Sequence, residues 1–394
     1  MRRILDYDIK GKKVLIRVDF NCAVENGKII PGERIEAHSQ TVKKLAEKGA
    51  GVIVLAHQGR KDSEDFLHLD QYAELIEKYI GIPVRYIDDL TGEKAKKAIE
   101  EIKDGEVILL QNVRVRSDET SEDGAVANAL APLVDYYVLD ALSVAHRAHS
   151  SVVGFSKRIP AFYGEVLADE VRALESLKDV KDVTFLLGGS KVKDSFRMMK
   201  KWIEEGRARK FLSGGALSIL FLKAKGYGLG DSEEYFREAE LDEYLDDAEK
   251  LLKELGDKIE VPVDVGLKID DERVESDSDK IERGQIFDIG EKTIEKYKKE
   301  IADSSAIVMN GPMGVYELEK FSKGTKGILD AISESKAYSL LGGGHTITAI
   351  KKLGIDKSGF SYVSLAGKAL IDYLCGKELP GIKALEENEK NFSV

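Results

Sequence analysis

The strongest constraint on the fold is a rhythm, in which short, almost wholly aliphatic runs recur between longer charged stretches of helical periodicity. In the first half these runs are Val14 to Val18, Val52 to Ala56, Val84 to Ile87, Val107 to Leu110 and Tyr137 to Leu139. They lack the alternation of a half-solvated strand, so each predicts a strand covered on both faces, as in a parallel sheet. Ser39 to Lys48 and Asp70 to Tyr79 carry apolar residues at helical spacing and predict crossover helices. After Pro160, Phe162 to Leu177 reads as a helix with no strand near it. The rhythm restarts with Val183 to Leu187, Lys210 to Leu212, Ile259 to Val265, Ala306 to Met309, Ala337 to Leu341 and Tyr362 to Leu365. A chain of 394 residues is long for one core. The pattern specifies an α/β protein of two doubly wound parallel-sheet (Rossmann-like) domains, joined by a hinge helix, with a cleft between them. Residues 1–160 form the first domain and 161–379 the second, which opens with an interdomain helix over 161–178.

Charge and cysteine usage narrow the class. A net charge of -11 argues against a general nucleic-acid binder, whose footprint is a basic field. Cys22 and Cys375 fit neither a disulfide framework nor a CxxC metal site, and a reducing cytoplasm suits them best. Met1-Arg2-Arg3-Ile4-Leu5-Asp6 reaches charge too soon for a signal peptide, and no apolar run approaches a membrane span. A soluble, cytoplasmic protein is expected, with no nucleic-acid or membrane partner.

Ligands of doubly wound sheets bind beyond the carboxyl ends of the strands, so the residues there carry the functional information. In the first half they are Val18-Asp19-Phe20-Asn21, His57-Gln58-Gly59-Arg60, Asn112-Val113-Arg114, and Asp140 to Ser151 with His146, Arg147 and His149. Arg34 is expected on an intervening loop. One surface arginine is usually solvated, but several at equivalent strand ends predict a crevice for a small, multiply charged anion. Asp19 and Asn21 would accept from substrate hydroxyls or orient the arginines.

The second half carries glycine at its strand ends: Gly188-Gly189-Ser190-Lys191, Ser213-Gly214-Gly215, Asn310-Gly311-Pro312-Met313-Gly314 and Gly342-Gly343-Gly344-His345-Thr346. Glycine there lets a ligand approach the backbone and leaves helix N-terminal N–H groups aimed at phosphates, so four such turns predict a nucleotide site. No GxGxxG follows the first strand and no GxxxxGK[ST] occurs, which disfavours dinucleotide dehydrogenases and P-loop enzymes. Lys191 is the cation placed like a phosphate clamp.

Along essentially its whole length the chain resembles the phosphoglycerate kinases. The resemblance rests on Arg17-Val18-Asp19-Phe20-Asn21, Glu33-Arg34-Ile35, His57-Gln58-Gly59-Arg60, Asn112-Val113-Arg114, Ala145 to Ser151, Gly188 to Val192, Asn310 to Glu317 and Gly376 to Gly381. It implies that the first domain binds 3-phosphoglycerate or 1,3-bisphosphoglycerate, that the second binds ADP or ATP with Mg2+, and that residues 380–394 fold back onto the first. The substrate residues it implies are Asp19, Asn21, Arg34, His57, Gln58, Gly59, Arg60, Arg114 and Arg147. The nucleotide residues it implies are Gly188, Gly189, Lys191, Gly214, Gly215, Asn310, Pro312, Glu317, Gly343, Gly344, His345 and Thr346. Arg34 and Lys191 would be catalytic, meeting the transferring phosphoryl from opposite sides.

Three departures accompany the resemblance. His345 stands where the family has a magnesium-binding aspartate, Ser195 where it has a second lysine, and Leu365-Ala366-Gly367-Lys368 where it has a longer glycine run. The first two resemble the archaeal branch. At the third, the Ala366 methyl would crowd backbone N–H groups, or Lys368 would supply the charge that Ser195 lacks. No protein residue is expected to be a certain metal ligand, magnesium being held through the nucleotide phosphates. The implied reaction is reversible phosphoryl transfer from 1,3-bisphosphoglycerate to ADP, by hinge closure and in-line transfer, in a monomer or homodimer. The alternative is a catalytically impaired paralogue that binds phosphoglycerate or nucleotide only.

Overall fold

The computed structural model describes residues 1–393 and divides into two compact units, Met1–Arg172 with Lys377–Val394, and Ala173–Gly376. In the first unit a six-stranded sheet runs, edge to edge, Val84–Ile87, Val107–Leu110, Gly51–Leu55, Lys13–Arg17, Tyr136–Leu139 and Ala161–Tyr163. Every neighbouring pair is parallel. The chain starts in the middle, winds to one edge and returns to the other, so the order reverses between Lys13–Arg17 and Tyr136–Leu139. That reversal opens a crevice beyond Arg17 and Leu139. The side chains of Val14, Ile16, Val52, Val54 and Val138 are fully buried in one core cluster, which is what their unbroken aliphatic character specifies.

The second unit repeats the plan. Its parallel sheet runs Ile259–Glu260, Ala208–Ser213, Val183–Leu187, Ala306–Asn310, Tyr338–Gly342 and Tyr362–Val363, with the reversal between Val183–Leu187 and Ala306–Asn310. The two-sheet α/β class expected from the aliphatic rhythm is the observed one.

Three local expectations are corrected. Ile259 to Val265 is not one strand: Pro262, which has no N–H to donate, separates Ile259–Glu260 from Asp264–Ile269. The latter pairs antiparallel with Glu272–Asp277 and Gln285–Ile289 in a separate three-stranded sheet. The interdomain helix does not begin at 161, because Ala161–Tyr163 is a strand hydrogen-bonded to Tyr136–Leu139, and the helix spans Glu165–Glu175. Phe162 is held there by edge contacts with Tyr7 and Tyr136 and by the Arg2 guanidinium over its ring. Arg34 is not on a loop but in the first turn of the helix Glu33–Glu47.

The terminal helix Pro380–Asn391 belongs to the first unit, and buried Asn388 anchors it. Its Oδ1 accepts from Ala161 N at 2.8 Å and from Arg2, while its Nδ2 donates to Ser156 O at 2.6 Å and Ile159 O at 2.8 Å. Among the described residues no helix is long and apolar enough to cross a membrane.

Candidate functional site

At the reversal in the first unit, the first strand ends in a charge inside an apolar run. Arg17 is buried, donating from Nε to Ser151 Oγ at 2.9 Å and from Nη2 to His57 Nδ1 at 3.2 Å. Guanidinium can only donate, so His57 Nδ1 is the acceptor and its proton lies on Nε2. Burial drives the His57 pKa well below its usual value; Asp19 opposes this, and the Arg17, Arg114 and Arg147 charges add to it. The ring is therefore a neutral donor at its outer nitrogen.

Asp19 is buried one residue past the neighbouring Val18. Burial alone would raise its pKa, but Arg34 Nη1 at 2.8 Å from Oδ2 and the Ser143 hydroxyl at 2.5 Å hold it below the usual carboxylate range. Arg34 is its close ion-pair partner. Asn21 Oδ1 accepts from Gly59 N at 2.8 Å and so fixes the turn carrying Arg60. Gly59 has φ +67°, and a methyl there would overlap the Asp65 carbonyl. Gln58 differs from its expected role, since its amide bonds to Cys22 N, Cys22 O, Asp65 O and Tyr72 Oη, leaving the side chain nothing for a ligand.

Arg60, Arg114, Arg147 and His149 line a cavity of about 480 Å³ together with Lys61, Arg116, Ser117, Glu119 and Thr120. Asn112 Oδ1 caps the short turn bearing Arg114 through Arg114 N at 3.0 Å, and Arg114 Nη1 donates to Gly59 O. Burial, then repulsion from Arg147, Arg17 and Arg60, lowers Arg114 to about 10. Arg147 is lowered by burial and then by Arg17. Cations that destabilise one another in a concave site are complementary to an anion. The buried counter-charge is Glu119, whose Oε1 accepts from Ser151 Oγ at 2.5 Å and which burial shifts upward. Neither Glu119 nor Arg17 was singled out from sequence, although a charge closing the run Val14-Leu15-Ile16-Arg17 was a legible signal for the latter.

His149 is lowered to about 4 by burial and then by Arg147, Arg17 and Arg114. Because folding favours its neutral form, the unfolded chain binds the extra proton as pH falls from 6.5 toward 4, and stability is lost over that window. His149→Gln should flatten the fall in urea midpoint between these values; an unchanged slope would show that His149 keeps an ordinary pKa.

In the second unit the four glycine turns converge on their sheet's reversal. Gly188 N donates to Asn310 O at 3.0 Å, Gly189 N to Pro312 O at 2.8 Å, Gly214 N to Leu187 O at 2.9 Å and Gly215 N to Met313 O at 2.9 Å. A methyl on Gly188 would overlap the Pro312 carbonyl, and one on Gly311 the Gly188 carbonyl. These glycines were expected to present N–H groups to phosphates. Instead their N–H groups bond the turns to one another, and the missing side chains permit that contact. The turn before the helix Gly344–Lys352 is different: Gly343 has φ +93° and no side chain caps the helix start. Asn310 Oδ1 lies against Gly343, and buried Thr346 takes Gly311 N on Oγ1 at 3.0 Å, so both fasten this turn to its neighbour.

Beside the turns is a cavity of about 440 Å³. Of the expected residues Gly189, Gly215, Pro312, Glu317 and His345 line it, whereas Gly188, Lys191, Gly214, Asn310, Gly343, Gly344 and Thr346 do not. Its far wall was missed from sequence: Tyr235 and Glu238 on the helix Ser232–Glu238, and Gln285 to Asp288 on the antiparallel sheet. Lys191 is exposed at the cap of the helix Val192–Glu204, and its ammonium has no ion-pair partner among the described residues. Ser195 is buried, its hydroxyl 3.5 Å from Lys191 O, so a lysine would not fit there unchanged. Ala366 is also buried and its N–H bonds Ser364 Oγ at 3.1 Å, so its methyl does not stand over an open crevice; Lys368 is exposed at the next helix start.

One parallel α/β unit with a cationic crevice at its reversal, and another with a glycine-walled cavity at its own, define a phosphotransferase acting on a small anionic substrate. The family model described as phosphoglycerate kinase matches residues 4–377. The phosphoglycerate kinase of Methanopyrus kandleri is 41% identical over 391 residues, 96% of each chain, and that of Thermococcus kodakarensis 37% identical over 100% of this chain and 98% of its own. The crystal structure of phosphoglycerate kinase from Pyrococcus horikoshii matches at a TM-score of 0.92 with 36% identity over 100% of both chains. That from Coxiella burnetii matches at 0.84 with 33% identity over 99% of both. The chain belongs to the phosphoglycerate kinase family.

Proposed function

We propose that the first unit binds 3-phosphoglycerate or 1,3-bisphosphoglycerate through Arg34, His57 Nε2, Arg60, Arg114 and Arg147. Asp19, Asn21 and Gly59 hold those groups in place. The cavity of the second unit takes the adenosine of ADP or ATP, with Glu317 toward the ribose and the start of the helix Gly344–Lys352 toward the phosphates. The observation that carries this reading is the cationic cavity of about 480 Å³, lined by the mutually repelling Arg60, Arg114 and Arg147 and by His149, whose pKa is pushed down by burial and by Arg147 and Arg114.

Phosphoryl transfer needs in-line placement and neutralisation of the equatorial oxygens more than it needs a base. Arg34, on the first unit, and Lys191, on the second, supply that charge when the units close during turnover, which also excludes water from an activated phosphoryl. The reaction is the reversible glycolytic and gluconeogenic exchange between 1,3-bisphosphoglycerate with ADP and 3-phosphoglycerate with ATP, in the cytoplasm.

Magnesium fits as part of the nucleotide. Among the described residues no three His, Cys, Asp or Glu side chains converge as a metal site. His345 is exposed, with Nδ1 at 3.3 Å from Tyr316 Oη and 3.8 Å from Glu317 Oε1. These groups do not make a resident site for a hard cation that prefers oxygen ligands. Magnesium would enter with the nucleotide, held through the ADP or ATP phosphates, and would supply charge neutralisation there. A coupled assay with 3-phosphoglycerate and ATP should show ATP-dependent product only with both substrates and a divalent cation. No product at high enzyme concentration, or full activity in excess chelator, would overturn the reading.

A further inference from the structure

The helix Glu33–Glu47 carries two contacts one turn apart on one face. Arg34 meets Asp19 at 2.8 Å, and His38 Nδ1 lies 2.8 Å from Asp140 Oδ2. Asp19 and Asp140 follow the two central strands on either side of the sheet reversal, and Asp140 N bonds Arg17 O at 3.0 Å. The helix is thus fastened to both lips of the crevice. His38 and Asp140 are almost wholly excluded from solvent, with side chains 2% and 0% exposed, and His38 sets its ring edge-on to Phe20 at 6.3 Å. Asp140 has a second bond: Oδ1 accepts from Val166 N at 2.9 Å, in the first turn of the helix Glu165–Glu175. That N–H is one of the donors a helix start leaves without an intrahelical acceptor. Gly164, just before it, has no room for a side chain because a methyl would overlap the Asp140 carboxylate. One buried carboxylate therefore joins the helix that carries Arg34 to the start of the helix that runs on past Arg172 into the second unit.

A buried acid–base pair is costly to desolvate and is weak evidence for stability, so its presence one turn from Arg34 calls for another account. Neither residue faces the cationic cavity. We propose that His38 and Asp140 are positioning residues, which lock Arg34 and the start of Glu165–Glu175 into one register so that the guanidinium is correctly placed when the transferring phosphoryl arrives. This rests on the assignment of Arg34 to the phosphoryl.

The test separates that assignment from the positioning role. His38→Ala should lower kcat in the coupled assay ~10-fold or more, since small misplacement of a charge-stabilising group is expensive in rate. The KM for ATP should stay within about twofold, and the 3-phosphoglycerate Kd by calorimetry should rise by much less than kcat falls, because Arg34 is one of several groups proposed to bind that ligand but the one assigned to the transferring phosphoryl. His38→Asn, whose amide can donate from the position of Nδ1, should restore most of the rate. In an Arg34→Lys background His38→Ala should cost little more, because the two residues act as one unit. A lower melting temperature with unchanged kcat well below melting, or a loss that multiplies fully with Arg34→Lys, would overturn the positioning role. Near-normal turnover in Arg34→Ala would instead remove the assignment on which it rests.

Discussion

Arg34→Ala and Lys191→Ala should each lower turnover by ~10²-fold or more in both directions, the scale on which single charge-stabilising groups act in phosphoryl and acyl transfer. The two should differ in stability. Lys191 is exposed and makes no ion pair with described residues, so its truncation should leave the melting temperature unchanged. Arg34 is the close ion-pair partner of buried Asp19, and its removal leaves that carboxylate with the Ser143 hydroxyl, Asn21 N and a histidine 3.8 Å away. That variant should lose about 1–2 kcal/mol and still fold. Single-turnover rates at saturating substrates, alongside thermal melts, would check both. Turnover near normal in both variants would sink the assignment.

Asn388→Ala should strongly destabilise the first unit. The amide makes four hydrogen bonds at a position 1% exposed, closing the carbonyls of Ser156 and Ile159, the N–H of Ala161 and one arm of Arg2. Truncation leaves the Ser156 and Ile159 carbonyls and the Ala161 N–H without that partner, while Arg2 Nη2 keeps Ala161 O at 3.0 Å, at a cost of about 3 kcal/mol. The urea midpoint by circular dichroism should fall accordingly. The only tryptophan, Trp202, lies in the second unit and gives a separate signal for that half. An unchanged midpoint would mean that the terminal helix adds nothing to the first unit.

Sequence reading recovered elements wherever burial on both faces forces an unbroken aliphatic run. Val84–Ile87, Val107–Leu110 and Val183–Leu187 have the expected ends, and Lys13–Arg17 and Gly51–Leu55 differ by one residue. It missed Glu272–Asp277, whose side chains are largely solvated and need no apolar pattern. It also read the three-residue strand Ala161–Tyr163 as helix, because three residues are too few to show a period. In the first unit, residue types at strand ends pointed to His57, Arg60, Arg114 and Arg147 but not to their division of labour, while Arg34 was expected on a loop and stands on a helix. Gln58 stands beside His57 in the chain, yet its amide points into the fold, as only the bonds to Cys22, Asp65 and Tyr72 reveal. The Tyr235 and Glu238 wall of the second unit's cavity lies off the strand ends altogether, and no local motif announced it.

The crossed glycine turns beneath that cavity have a kinetic consequence. Their N–H groups are committed to neighbouring carbonyls, so the floor on which an adenosine would rest is main chain fixed at folding. A nucleotide bound there, as proposed, would meet a surface already in its final shape, with few backbone torsions left to be frozen. Capture of ADP by the second unit should then be governed by encounter and departure, and the slow events of turnover fall elsewhere in the cycle.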